Sequence, residues 1–279
     1  MSLDPGDPVT ESLPRSIDVR VWCALALLNL VALFASIPYE DALLRQGPVA
    51  SQVSPAMRLG VGLALLIAIT WPAIALGLRL GRGLGLGAPW IAGALRGERP
   101  ARAPFGWAAG LGVATGVVLL VTGGVLESAF QADFAPLSGF APPTPWAGLL
   151  GAFGAGIAEE TWLRLIVLTG VAALGQVLVH PQRDPAQPRL PGRLPEQGIL
   201  WTANVLAALV FGALHFGNLQ ALGAPLTPVL AGYILLFNGI VGLLCGWLYW
   251  TRGLEAAIVC HIAVDVVLHA VGPAAGGLS

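Results

Sequence analysis

Charged residues are scarce in this sequence. Asp, Glu, Lys and Arg make up 10% of the 279 residues, whereas about a quarter of the residues in soluble domains are charged. Hydrophobic residues account for 56% of the chain. A water-soluble globular protein could not bury that much apolar surface, so the composition excludes a soluble domain and predicts a protein embedded in a membrane.

Cysteine is scarce as well, and lysine is absent. The three cysteines, Cys23, Cys245 and Cys260, lie inside apolar runs, where a free cysteine behaves as a small hydrophobic side chain. This placement excludes a disulfide or zinc framework. All 14 basic residues are arginine, a bias typical of a bacterium with a GC-rich genome. The formal net charge of -1, without a basic face carrying interleaved aromatic residues, excludes nucleic-acid binding.

Apolar runs of membrane-spanning length recur along the chain. A helix needs about 20 apolar residues to cross the hydrocarbon core, because each residue rises about 1.5 Å. Such runs cover residues 21–38, 59–79, 104–125, 145–178, 199–218, 228–250 and 254–271. The fourth would form a helix roughly 50 Å long, and we interpret it as one element. The pattern predicts an all-α bundle of about seven transmembrane helices, with six or eight as the alternatives.

The first apolar run begins close to the N-terminus, as a secretory signal would. No A-x-A-like cleavage site follows it before Pro38, so we interpret it as a retained span. Residues 1–18 are then predicted to be a cytoplasmic tail, and residues 19–279 a single transmembrane domain.

Arginines mark the predicted cytoplasmic side, because positive residues in short loops stay in the cytoplasm. That side holds Arg15, Arg20, Arg79, Arg82, Arg96, Arg99, Arg102, Arg183, Arg189, Arg193 and Arg252. The opposite side holds only Arg45 and Arg58. We therefore expect a bacterial cytoplasmic-membrane protein with its N-terminus inside and its C-terminus outside. The Pro-rich stretch from His180 to Gly198 is predicted to be a cytoplasmic loop, and that from Gln131 to Pro145 an external one.

Glycines on two of the runs recur at a spacing of four residues, which permits close packing of helices in lipid. They are Gly106, Gly110, Gly112 and Gly116 on the third run and Gly242 and Gly246 on the sixth. We expect contacts between helices of this one chain rather than an interface between two copies.

Six candidate site residues are ionisable and lie inside three of the last four runs, although each such residue costs about 2.5 to 3.5 kcal/mol at the centre of a bilayer. They are Glu159, Glu160 and Arg164 in the fourth run, His215 in the fifth, and His261 and Asp265 in the seventh. A cost of this size calls for a functional explanation, so we expect the six residues to form one buried site.

Helical geometry separates the roles of the two adjacent glutamates. Residues four apart share a face of a helix, whereas neighbours point about 100° apart. Glu160 and Arg164 are therefore predicted to form an ion pair. Glu159 then lies on another part of the helix without a local countercharge, which makes it the better candidate for a general base.

His261 and Asp265 also lie four residues apart and share a face of the seventh helix. The carboxylate could orient the imidazole, or both could contact a shared water or a metal ion. His269, one turn further along, lies near the predicted external end and is a weaker candidate. His215 alone would be interpreted as a hydrogen-bonded core residue, but its coincidence with two carboxylates favours a site.

These residues stand in the order of a known motif set: E-E-x-x-x-R, F-x-x-x-H and H-x-x-x-D/N. Here the motifs are Glu159, Glu160 and Arg164, then Phe211 and His215, then His261 and Asp265. Over about residues 145–270 the sequence resembles the CAAX protease and bacteriocin-processing (CPBP) family. The resemblance implies an α-helical intramembrane endopeptidase with this region as its catalytic core.

The resemblance also implies roles for single residues. Glu159 and His215 would activate a water molecule for attack on a peptide carbonyl, His261 and the last motif residue would stabilise the oxyanion, and Phe211 becomes a candidate substrate contact. The chain departs from the prenyl-protease form, which carries Asn where Asp265 stands. An ionised Asp265 repels an oxyanion, so it would have to be protonated or serve to orient His261.

A divalent, zinc-like metal ion is the alternative to this mechanism. Glu159, His215, His261 and Asp265 together offer a plausible set of nitrogen and oxygen ligands. The chain lacks a tight H-E-x-x-H pair. We therefore favour a glutamate-activated water and no cofactor.

The depth of the site follows from counting residues from the predicted external helix ends. At about 1.5 Å per residue, Glu159 lies about 20 Å deep, His261 about 15 Å and His215 about 5 to 10 Å. These depths differ by more than one site permits, but all lie between the midplane and the outer face. We therefore expect an exported, membrane-anchored protein or peptide as substrate, such as a C-terminal sorting tail of myxobacterial type, a bacteriocin leader or a peptide pheromone.

Two other functions are compatible with these residues. A non-proteolytic membrane scaffold or regulator could retain the same fold, but the complete motifs favour the protease. A proton-coupled transporter would also bury Glu, His and Asp. Such transporters often contain inverted repeats, and the two halves of this chain show no convincing repeat.

Overall fold

The computed structural model describes residues 18–48, 53–98, 105–180 and 194–275, and every regular element in these ranges is a helix. This confirms the predicted all-α class. The predicted cytoplasmic tail before Asp18 and most of the predicted loop from His180 to Gly198 lie outside the described residues. Some arginines used to predict the orientation also lie outside them: Arg15, Arg99, Arg102, Arg183, Arg189 and Arg193. The orientation in the membrane stays a prediction.

Seven helices of the described chain are long and apolar enough to cross a membrane, as predicted. They are α1 (Val19–Leu44), α2 (Pro55–Gly83), α3 (Phe105–Ala129), α4 (Pro145–Val179), α5 (Gln197–Leu222), α6 (Pro228–Arg252) and α7 (Leu254–Ala274). Shorter helical segments lie at Pro89–Leu95, Gln131–Phe134 and Ala135–Leu137. Each long helix covers nearly all of its predicted apolar run, and the fourth run forms one helix of 35 residues.

Three of the membrane-spanning helices begin with the same local chemistry. Ser54, Thr144 and Thr227 are N-cap residues whose side-chain oxygens accept hydrogen bonds from backbone N–H groups of the first turn. A proline follows each of them. The cap satisfies a donor that the helix leaves unpaired, and the fixed φ of proline suits the first helical position. These pairs therefore set the starts of α2, α4 and α6.

Segments of π-helix interrupt three of the spans. They are Leu66–Thr70 in α2, Thr161–Leu168 in α4 and Val267–Val271 in α7. The second begins directly after Glu160, and the third two residues after Asp265. Buried Asn29 of α1 donates to the Thr161 hydroxyl over 3.1 Å, and that hydroxyl donates to the Ile157 carbonyl over 2.7 Å. π-Segments are rare in proteins as a whole but frequent at functional sites. Their positions here therefore indicate a functional role for the regions around Glu160 and Asp265.

The last helix, α7, is the most enclosed element of the bundle. In its apolar core 67% of residues are buried, against at most 44% in the other spans. It packs against α3, α4 and α6. Small residues let the neighbouring backbones approach: Gly112 of α3 lies against Cys260 and Ala263, and Gly156 of α4 lies against Ile262. This packing puts His261 and Asp265 near the centre of the molecule.

The turn between α6 and α7 consists of one residue. Gly253 adopts a φ of 97°, in the left-handed region that favours glycine. The following amide, of Leu254, donates to the Gly87 carbonyl over 3.0 Å. The turn therefore fixes where α7 begins relative to α6 and to the segment after α2.

Four of the six predicted packing glycines lie against another helix of the chain: Gly112, Gly116, Gly242 and Gly246. The prediction is wrong for Gly106 and Gly110, where an added Cβ would meet no atom within 4 Å. These two residues lie on the outward face of α3. Lipid and protein core are both apolar, so hydropathy does not distinguish the two faces.

We expect Gly112→Ala to destabilise the protein by about 1–3 kcal/mol, because its Cβ would press on the Cys260 carbonyl. Gly110→Ala is the matched control, since it changes the same residue type on the same helix where space is open. Thermal unfolding of both variants in detergent measures the difference. Equal unfolding temperatures for the two variants would show that α3 and α7 do not pack as described.

Candidate active site

Side chains from α4, α5 and α7 form a buried polar cluster in the middle of the bundle. All the motif residues belong to it: Glu159, Glu160, Arg164, Phe211, His215, His261 and Asp265. The side chains of Glu160 and Arg164 are fully buried, whereas those of Glu159 and Asp265 are 32% and 13% exposed. The cluster thus has a closed inner part and an accessible outer part.

The closed part is built on the ion pair that the sequence predicted. Arg164 Nε donates to Glu160 Oε2 over 2.8 Å, and Arg164 Nη2 donates to Glu160 Oε1 over 3.2 Å. The planar guanidinium matches the carboxylate with two parallel hydrogen bonds. The other terminal nitrogen, Nη1, has no hydrogen-bond partner among the described residues, and the guanidinium carbon lies 6.0 Å from the centre of the Phe211 ring. Glu160 is therefore held in place and neutralised.

His261 joins the closed part to the accessible part. Its Nδ1 lies 2.8 Å from Glu160 Oε1. Its Nε2 lies 3.5 Å from Asp265 Oδ2 and 3.7 Å from Glu159 Oε2. Each ring nitrogen therefore faces carboxylate oxygen, and Nε2 points to the two carboxylates that are not fully buried.

The contact between His261 and Glu160 was not predicted. The sequence assigned Glu160 to Arg164 alone and considered only Asp265 as an orienting group for His261. The contact joins residues 101 positions apart, and helical spacing carries no information about partners on different helices. Asp265 does lie beside the imidazole, but on the opposite nitrogen.

His215 is oriented by its own helix. α5 is interrupted at this residue, and His215 Nδ1 lies 2.9 Å from the Phe211 carbonyl oxygen. A carbonyl can only accept, so Nδ1 carries the hydrogen and Nε2 is left with its lone pair when the ring is neutral. No hydrogen bond joins His215 to Glu159 among the described residues, although His215 lies close enough to His261 and Asp265 to interact with their charges.

The Phe211 ring separates the two histidines. It meets the His215 ring edge-on at a centroid distance of 4.8 Å and the His261 ring at 5.6 Å. The side chain is only 2% exposed, so in this arrangement it positions the imidazoles by packing. The contact with substrate that the motif suggested for Phe211 stays a prediction.

The helix that carries His215 is longer than predicted. α5 continues to Leu222, four residues beyond the predicted end, which places His215 about 6 Å further from that helix end than predicted. Phe211 lies one turn deeper still and reaches His261. The longer helix reduces the difference between the three predicted depths, and the depths themselves stay predictions.

A cavity of about 610 Å³ lies next to the cluster along α7, although no motif residue is among its described lining residues. Tyr39 and His269 stand at its inner wall, and the Tyr39 hydroxyl lies 3.2 Å from His269 Nδ1. Leu43 and Pro143 line its other end, where α1 ends and α4 begins. We call it the Tyr39–His269 cavity. It extends from the predicted external end of the bundle to within about one turn of Asp265.

Tyr39 was missed by the sequence analysis. It lies near enough to Glu159 and Asp265 to interact with their charges, and it contacts His269, which the sequence treated as a weaker candidate. A tyrosine directly after Pro38, where the first predicted apolar run ends, was the available signal. Pairing it with a residue 230 positions away required the fold.

The metal-ligand alternative can be tested against the donor atoms. Among the described residues, the three ligand-type side chains within 4.8 Å of one another are Glu160, Cys245 and His261, not the four predicted ones. Glu160 already accepts hydrogen bonds from Arg164 and lies against His261 Nδ1. A divalent cation there would displace these contacts and lie beside a guanidinium, so this group does not suit a metal ion. The metal set of Glu159, His215, His261 and Asp265 stays a prediction.

Removing the positive charge of Arg164 should destabilise the protein. We expect Arg164→Met to lower the free energy of unfolding by about 3–5 kcal/mol, because Glu160 would be left buried without its countercharge. The double variant Glu160→Gln/Arg164→Met removes both charges and should recover most of this loss. Thermal unfolding in detergent compares the two, and a single variant as stable as the unmodified protein would contradict the assigned role of the pair.

Comparison with protein families identifies the C-terminal half of the chain. Residues 141–267 match the family model described as Type II CAAX prenyl endopeptidase Rce1-like. No curated protein and no solved structure matches the chain. The matched region holds every motif residue from Glu159 to Asp265 and agrees with the predicted limits of about 145–270, which confirms the resemblance. Residues 141–267 are therefore an Rce1-like domain, the domain of a family of CAAX-type intramembrane proteases.

Proposed function

We propose that the protein is an intramembrane endopeptidase that hydrolyses a peptide bond in a membrane-anchored protein or peptide, with Glu159 and His215 activating the water. One observation carries this proposal: the two adjacent glutamates have different environments. Glu160 is fully buried and bound by Arg164 and His261, whereas the Glu159 side chain is 32% exposed and has no guanidinium partner among the described residues. The cluster therefore leaves one carboxylate available for a proton.

Glu159 acts as the general base in this mechanism. A water molecule beside its carboxylate gives up a proton to Glu159 as the water oxygen attacks the peptide carbonyl carbon. The proton is then passed to the leaving amine when the carbon–nitrogen bond breaks. His215 supports the step because its Nε2 lone pair can accept the second hydrogen of the same water and orient it.

His261 stabilises the oxyanion, and Asp265 orients the His261 imidazole. Both ring nitrogens of His261 face carboxylates, and this geometry suits a ring that carries a hydrogen on each nitrogen. Nε2–H can then donate to the developing oxyanion. Asp265 steadies the imidazole without having to contact the oxyanion itself, which removes the objection to an aspartate at this position.

The Tyr39–His269 cavity supports a tethered substrate. Its walls are largely apolar, with Leu119, Leu120 and Phe237 among the lining residues, and Glu127 is its only lining acid among the described residues. An extended peptide leaving a membrane anchor could enter it from the predicted external end. We therefore favour an exported substrate, such as a C-terminal sorting tail, a leader peptide or a pheromone precursor.

Loss of the base should abolish processing without loss of protein. We expect Glu159→Gln to lower the rate of cleavage by at least about 100-fold, because it removes the proton acceptor and keeps the shape of the side chain. Comparative mass spectrometry of membrane-anchored proteins from cells with each variant measures the uncleaved substrate. Glu40→Gln, on an exposed turn of α1, is the control. Normal processing by an abundant Glu159→Gln protein would favour a scaffold role.

Narrowing the cavity should weaken substrate binding more than chemistry. An added side chain at Gly123 would project toward the Tyr233 hydroxyl and the Phe237 ring, so we expect Gly123→Leu to raise KM about 10-fold and to change kcat much less. Val125→Leu is the control, since Val125 lies on the same helix and is 61% exposed. Steady-state cleavage of a substrate identified by mass spectrometry gives both constants. A fall in kcat alone would show that the substrate does not use this cavity.

A further inference from the structure

A second cavity, of about 840 Å³, lies at the other end of α1. It is lined by arginines from three parts of the chain and by one acid: Arg20, Arg79, Arg82, Arg96, Arg252 and Asp18. We call it the arginine cavity. It adjoins the start of α1, whereas the Tyr39–His269 cavity reaches Leu43 at the end of the same helix, roughly 35 Å away along the axis. The proposed hydrolytic chemistry does not use it.

The positive charge of the arginine cavity is only partly neutralised. Arg96 forms an ion pair with Glu98, and Arg20 Nε lies 3.8 Å from Asp18 Oδ1. Arg79 and Arg252 have no carboxylate within ion-pair distance in the part of the chain that the structure describes. Asp18 is the single acid among the described lining residues. An anionic occupant would supply the missing charge.

The cavity is also partly apolar. Leu78, Leu86 and Trp250 lie among the arginines in its lining. Tryptophan is enriched at the level of lipid headgroups, where one side of the ring is apolar and the other is wet. Arg79 and Arg252 stand near the ends of α2 and α6, so the cavity lies at the edge of the membrane-spanning region. Its occupant should therefore combine negative charge with an apolar part.

We propose that the arginine cavity binds the phosphate-bearing headgroup of an anionic membrane lipid. Guanidinium groups present paired N–H donors that match phosphate oxygens, and basic pockets between transmembrane helices take anionic headgroups. Arg79 and Arg252 approach the phosphate from α2 and α6, while the apolar wall holds the glycerol end of the acyl chains. A soluble phosphate would leave that wall unused. The simpler alternative, in which the arginines only orient the chain, requires no saturable binding.

The test measures lipid binding by the purified full-length protein in detergent. Short-chain phosphatidylglycerol, short-chain phosphatidylcholine and sodium phosphate are titrated separately by isothermal calorimetry. We expect saturable binding of phosphatidylglycerol, with the other two at least about 10-fold weaker, because phosphatidylcholine carries no net negative charge and sodium phosphate has no apolar part. Equal affinity for phosphatidylcholine overturns the proposal. Equal affinity for sodium phosphate would assign the cavity to a soluble phosphate ligand and would also overturn the proposal that it binds a lipid.

Substitutions of the lining arginines test whether phosphatidylglycerol binds in the arginine cavity. Each arginine near an anionic headgroup contributes about fivefold in affinity, so Arg79→Gln/Arg252→Gln should weaken phosphatidylglycerol binding about 30-fold. The charge-conserving pair Arg79→Lys/Arg252→Lys should lose much less. Arg45→Gln, a change at an exposed arginine outside this cavity, is the control. Unchanged binding in the Gln pair, or an equal loss in Arg45→Gln, overturns the proposal.

Discussion

Glu160 and Arg164 place two opposite charges inside a helix that crosses the membrane, and neither side chain is exposed. A single charge buried this way costs several kcal/mol, so each can be buried only while it touches the other. Glu160 Oε1 also faces His261 Nδ1 at 2.8 Å. The ion pair of α4 therefore fixes the orientation of an imidazole on α7, and the carboxylates of Glu159 and Asp265 are arranged around the second nitrogen of that ring.

This arrangement explains why two adjacent glutamates differ. Neighbours on a helix point in directions about 100° apart, so only Glu160 can face Arg164 one turn along. Glu159 Oε2 lies 3.7 Å from His261 Nε2, and the Glu159 side chain remains 32% exposed. The π-segment that starts at Thr161 follows the pair directly, and the hydrogen bond from Asn29 to Thr161 ties this point to α1.

The features that sequence could predict are local. Seven spans follow from apolar runs, and the Glu160–Arg164 pair follows from a spacing of four. Contacts between helices could not be predicted, because residues such as Tyr39 and His269 are 230 positions apart and no local rule pairs them. The sequence also could not predict which face of α3 packs against the protein. Gly110 faces outward and Gly112 faces α7, yet both environments are apolar. The end of a helix is equally hard to predict, since α5 continues to Leu222 through a stretch that mixes hydrophobic residues with Gly217, Asn218 and Gln220.

Arg252, at the end of α6, connects the predicted membrane topology to the site. Arginines at helix ends favour the headgroup region, which sets the level of Arg252 at the end of α6. α7 begins two residues later, after the one-residue turn at Gly253. His261 therefore lies roughly 10 Å along the axis of α7 from its start at Leu254. An anion held by Arg252 in the arginine cavity would fix this level further, and with it the depth at which His261 and its carboxylates meet a peptide bond.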